Sequence, residues 1–148
     1  MAIPDIDQRG LLPFGVHDCS LEEIGARFGI FQGTDRRTRL FEKLEAYVVE
    51  VRQSGVVAAL IVDGSFVTAD DNPGDIDLVL VLSGTHDFTS DLGPMQYNVL
   101  SHRRVRARYG FDVFVAREDS KEYQEYVEFF QQVRGAPPLQ KGVLRVRI

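Results

Sequence analysis

The chain of 148 residues contains a single cysteine, Cys19. One thiol excludes a disulfide framework and a zinc cluster built within the chain, and reads as a buried or incidental side chain. Basic residues are also in deficit, 17 Lys and Arg against 22 Asp and Glu, for a formal charge of -5 at pH 7. Phosphate neutralisation drives general nucleic-acid affinity, so this balance argues against bulk DNA binding while leaving room for a local basic patch. No apolar run approaches ~18 residues, so the sequence offers no membrane span. The N-terminus lacks a basic segment followed by an apolar core, so no secretory signal is read and a cytoplasmic location is expected. Neither an internal repeat nor a low-complexity tract is present. What remains, 44% apolar and 26% charged residues, is the composition of an ordinary globular domain. The length suits one domain spanning 1–148.

Along the chain, residues 1–19 carry Pro4, Gly10, Pro13 and Gly15 without a clear period. They read as an irregular arm whose apolar residues pack on the domain. Ser20 followed by Glu23 is a capping-box pattern and predicts a short helix to about Phe28. Thr34 or Asp35 can cap the next helix, whose residues Leu40, Phe41, Leu44, Tyr47, Val48 and Val51 fall at helical spacing. Gly55 is placed to end it. Val56–Val62 is apolar on both faces, as a covered strand should be. Asp63 then reads as a turn or helix-cap acid, and Asp70 and Asp71 as solvated loop charges in turn chemistry. A second strand is predicted over Asp75–Ser83, followed by a polar loop from Gly84 to Gly93 in which His86 is an exposed histidine. Pro94 can open a helix that runs to Gly110. Phe111–Ala116 reads as a third core strand, Ser120–Arg134 as a last helix, and Gly142–Ile148 as an edge strand. The expected fold is α/β (α+β), a mixed central sheet flanked by helices.

The stretch with chemical content is Gly64–Leu82, GSFVTADDNPGDIDLVLVL. A Gly-Ser pair follows one apolar strand, and after a nine-residue loop Asp75-Ile76-Asp77 enters the next. Strand side chains alternate, so Asp75 and Asp77 project from one face while Ile76 enters the core. Two carboxylates on one face repel unless a cation or proton lies between them. A hard divalent ion with oxygen ligands would satisfy them. Asp112 is a third acid inside an otherwise apolar run, where an unpartnered carboxylate is costly. His102, Arg103, Arg104, Arg106 and Arg108 form the dense basic cluster. It reads as a solvated helical face, or as a contact for triphosphate or nucleic acid lying close to Asp112.

The Gly64-Ser65 pair, the spacer, the Asp75-x-Asp77 motif and the later Asp112 strand together resemble the DNA polymerase beta-like nucleotidyltransferase superfamily, over about residues 36–117. The resemblance implies a small bacterial protein of the toxin–antitoxin or phage-defence type. It implies Mg2+, or Mn2+, held by Asp75, Asp77 and Asp112. Gly64 and Ser65 would bind the nucleotide, ATP or another NTP. The reaction would move an NMP to a hydroxyl or phosphate acceptor on a protein or tRNA, possibly encoded by a neighbouring gene. Many small members carry a basic residue shortly after the Gly-Ser pair, where this chain has Phe66-Val67-Thr68. That departure keeps open an alternative, a non-catalytic binding or protein-interaction module on the same fold. Metal-dependent phosphoester hydrolysis by the same acids is a third reading.

Overall fold

The computed structural model describes residues 3–85, 92–133 and 139–148. Its core is a five-stranded mixed sheet in the order β1-β7-β2-β3-β4, formed by β1 (Gly15–Cys19), β2 (Val57–Asp63), β3 (Asp77–Leu82), β4 (Asp112–Arg117) and β7 (Gly142–Arg147). The helices are α1 (Leu21–Phe28), α2 (Arg36–Ser54), α3 (Pro94–Leu100), α4 (His102–Tyr109) and α5 (Lys121–Phe130). A small ribbon of β5 (Gln132–Val133) and β6 (Leu139–Gln140) lies between α5 and β7. The fold is the α/β class expected from the alternation of periods.

Strand parity sorts the sheet residues into two faces. Leu60, Val62, Leu78, Leu80, Leu82, Val113, Leu144 and Val146 build the front core together with α1, α2, α3 and α4. Tyr47 of α2 is fully buried there, and its hydroxyl donates to the Val99 carbonyl at 2.6 Å. Ala59, Ile61, Val79, Val81, Ala116 and Val143 point to the back, where Val127 and Phe130 of α5 cover them.

The local signals were sound at the caps. Ser20 and Glu23 close the expected capping box on α1, Gly55 ends α2 in the left-handed region at φ 71°, and the Ser120 hydroxyl accepts the Tyr123 N–H at 3.1 Å. Several boundaries differ from expectation. Residues 15–19 are not part of an irregular arm: they form β1, paired in parallel with β7. Consequently β7 is interior rather than an edge strand. Its alternating pattern looks like an edge because Arg145 is charged, but that guanidinium is satisfied within the sheet by Asp18 of β1, at 2.6 and 2.9 Å. The single helix expected over 94–110 is broken at Ser101, whose backbone is extended and whose hydroxyl caps α4 through the Arg104 N–H. The last helix stops at Phe130 instead of Arg134, because Gln132 and Val133 pair with β6. His86 and the Gly135–Pro138 breaker lie outside the described residues.

The loop that carries the Gly-Ser pair is anchored from α2. Arg37 is 3% exposed and donates to the carbonyls of Phe28, Phe66, Thr68 and Asp70 at 2.7–3.3 Å. Its guanidinium lies over the rings of Phe28 and Phe66. A buried charge that satisfies four carbonyls fixes the loop backbone on which the candidate site depends.

Candidate functional site

Three acids from three adjacent strands stand in one row. Asp63, the last residue of β2, is the register partner of Asp77, the first residue of β3, and Asp77 is the register partner of Asp112, the first residue of β4. Register partners project from the same face, and neighbouring strands lie about 4.8 Å apart. The row therefore lies on the back face, at the end of the sheet beside the C-terminus of α5. The sequence motif reaches it through the Gly-Ser turn. Gly64 has φ 97° and no room for a side chain: a Cβ there would sit 2.8 Å from the Asp75 carbonyl oxygen. From that turn, Ser65 donates both its N–H (2.8 Å) and its hydroxyl (2.5 Å) to Asp75 Oδ1, and the hydroxyl accepts the Gly74 and Asp75 N–H groups. The Asp75 carbonyl accepts the Phe66 N–H. These bonds draw Asp75 out of the ladder, so β3 begins at Asp77 and not at Asp75 as the sequence suggested.

Each acid has a different companion. Asp63 is 4% exposed and forms an ion pair with Lys141, which precedes β7. It is not the turn or cap acid the sequence suggested. The Lys141 backbone is held in place by its N–H bond to the Gln131 carbonyl at 2.8 Å. Burial raises the Asp63 carboxyl above its ordinary range, against the opposing pull of Lys141. At the other end, Asp112 Oδ1 accepts from Arg106 Nη1 at 2.5 Å and pairs with His102 Nε2 at 3.1 Å. Its burial acts upward, but the hydrogen bonds from His102 and Arg106 outweigh it and leave the carboxyl below its ordinary value. His102 and Arg106 are one helical turn apart, so α4 presents both to the same oxygen. Two other arginines of the cluster are used elsewhere: Arg104 lies over the Tyr97 ring and Arg108 pairs with Glu50.

Asp77, in the middle, accepts no side-chain hydrogen bond among the described residues. It is half-buried, and its carboxyl is pushed up to about 6, by burial first and then by Asp75, Asp63 and Asp112. In donor type and strand position these acids fit a hard divalent ion, which would relieve the charge on Asp77. They are not gathered into a cage: among the described residues no three ligating side chains converge on one point. Asp63 is taken up by Lys141, while Asp75 and Asp112 each commit only Oδ1 to the partners named above and keep Oδ2 for a ligand.

Two depressions meet at the motif. A cleft of about 950 Å3 reaches Asp75 and carries both signs of charge, Arg36, Arg39, Lys43 and Arg108 with Asp35 and Glu42. A smaller cavity of about 230 Å3 reaches Asp77 and Asp63 from the α5 side.

A family model matches residues 4–147. The chain belongs to the DUF6932 family. That family is described as one of unknown function, and the match spans the whole sheet, from β1 to β7. No curated protein and no solved structure matches the chain. Chemistry for this family member therefore has to be argued from its own residues. Two of those were missed in the sequence. Lys141 lies 78 positions from Asp63, and nothing local marks it. Asp63 did leave a signal: it continues the inward parity of Ala59 and Ile61, where a charge needs a partner.

Proposed function

We propose that this protein is a magnesium-dependent nucleotidyltransferase, moving a nucleoside monophosphate from an NTP to a hydroxyl or phosphate acceptor on a protein or tRNA. The observation that carries the reading is the join between motif and sheet: Ser65 of the Gly-Ser turn holds Asp75, and Asp77 stands in register with Asp112 on the next strand. A bound magnesium ion would neutralise charge on the transferring phosphate and on the leaving group.

The chain's own residues would divide the remaining work. Ser65 orients Asp75 against the turn. Asp112 is kept ionised by Arg106 and His102 through Oδ1, which leaves Oδ2 to take the proton of an attacking hydroxyl. Arg106 and His102 are exposed enough to meet phosphate oxygens when they leave Asp112, and a guanidinium reads such oxygens in pairs. Arg36 and Lys43 on the wall of the larger cleft place further positive charge beside Asp75.

The test is transfer of label from α-labelled NTPs, with Mg2+ or Mn2+, to tRNA and to proteins encoded beside the gene. Wild type should label an acceptor, and Asp75→Asn with Asp77→Asn should lower labelling by at least about a thousandfold, the loss expected when charge stabilisation of the transition state is removed. Activity that survives the double substitution would sink the reading.

One observation favours the alternative, a non-catalytic binding or interaction module: Ser65 spends both its donors on Asp75 and offers neither to a phosphate as it stands. Saturable NTP binding with no product on any acceptor would select that alternative.

A further inference from the structure

We propose that the small cavity beneath Phe129 holds the nucleobase of the NTP, so that the nucleotide lies with its base toward α5 and its phosphates toward α4. The inference rests on the nucleotide reading above. It starts from a difference in charge between the two flanks of Asp77. On the α4 flank, the Arg106 guanidinium is 59% exposed and within reach of solvent, with the exposed His102 ring beside it. On the α5 flank, the one cation among the described residues that line the cavity is Lys141, 13% exposed and paired with Asp63. This flank offers instead a cavity with an aromatic wall.

Phe129 stands at the last turn of α5 and is 60% exposed. Its ring meets Phe130 edge-on, with centroids 5.3 Å apart and planes at 80°. A ring this exposed keeps surface available for stacking. Phe129 lines a cavity of about 230 Å3 whose walls include Asp77, the Lys141–Asp63 pair and the amide-bearing Gln132. That volume is below the roughly 300–1,000 Å3 of a pocket for a whole ligand. It admits one flat ring while the charged remainder stays outside, along the carboxylate row. Stacking on an exposed aromatic is the way proteins hold bases without regard to their identity.

The experiment is titration calorimetry of the full chain in Mg2+ buffer with ATP and, separately, with tripolyphosphate, which has the charge and no base. Wild type, Phe129→Ala, Phe129→Trp and, as an exposed phenylalanine remote from the site, Phe31→Ala are compared after each is shown to melt cooperatively. Phe129→Ala should weaken ATP about tenfold, the scale of one stacked base, and leave tripolyphosphate unchanged. Phe129→Trp should hold ATP at least as well as wild type, and Phe31→Ala should do nothing. Equal ATP affinity for wild type and Phe129→Ala would overturn the base site while leaving the nucleotide reading intact. Equal losses for ATP and tripolyphosphate would also overturn it, since the ring would then be acting on the fold and not on the base. A wild type that binds neither compound would remove the nucleotide reading and this inference with it.

Discussion

The two flanks of Asp77 use the same device in opposite surroundings. On one side Asp63 meets Lys141 with both side chains almost out of solvent, at 6% and 13% exposure; on the other Asp112 meets Arg106 with 37% and 59% exposed. Both are carboxylate–cation pairs at the ends of the two strands that flank β3. Their energetics differ because water is excluded from one and not from the other. In the buried pair, desolvation costs both charges, and each becomes indispensable once the other is present. In the exposed pair, solvent and salt screen the attraction, so the partners can separate cheaply. Fixed scaffolding and exchangeable chemistry thus stand on either side of a single acid. That is the division a site needs if one cation is to hold the sheet together while another moves toward a ligand.

The largest effect should come from breaking the buried side alone. Lys141→Met leaves Asp63 without its counter-charge and should cost roughly 3–5 kcal/mol in urea unfolding at pH 7.5. Adding Asp63→Leu to it should return most of that loss, because an apolar pair needs no desolvation. If Lys141→Met were neutral, the Asp63 pair would not be the structural half of the comparison.

A smaller change of opposite sign is expected between the flanks. The Asp77 carboxyl is raised from 3.8 to about 6, so its ionised form opposes folding. This penalty is complete above pH 6 and is relieved as pH falls through 6 toward 4, where the native state holds the proton more tightly than the unfolded chain. Asp77→Asn should therefore gain about 1–2 kcal/mol at pH 7.5, after allowance for solvent screening of a half-exposed group. The gain should vanish near pH 4. Melts of both proteins across that range check the sign, and a gain that grew on acidification would contradict it.

The smallest effect belongs to the exposed side. Arg106→Gln should change stability by less than about 1 kcal/mol, and raising the salt should shrink the difference further. The same substitution should move the Asp112 carboxyl upward, since the Arg106 and His102 bonds are what hold it below its ordinary value. Carboxyl NMR of Asp112 in the two proteins would follow this. A loss of stability as large as that of Lys141→Met would erase the distinction between the flanks.

Much of this molecule follows from local sequence. The helix caps at Ser20, Gly55 and Ser120 are where a few neighbouring residues demand them, since a hydroxyl or a missing Cβ solves a problem confined to one turn. The Gly64 turn and the apolar strands were equally legible. The errors occurred where a local pattern was answered from far away. Arg145 made β7 look like an edge until Asp18 of β1 supplied its partner, 127 positions distant. The Asp75 carboxylate left the strand because Ser65, across the loop, offers it two donors.

The sequence by itself determined the α/β class, the Gly-Ser turn and the acids that follow it, because hydrophobic period and turn chemistry act over a few residues. Only the tertiary structure decided that Asp63 joins the row, that Lys141 neutralises it, and that His102 and Arg106 reach Asp112. Those facts depend on strand order and register, which bring together groups that have no spacing rule along the chain. Electrostatic partnership is a property of distance in space and of exclusion from water, and neither exists until the sheet has closed.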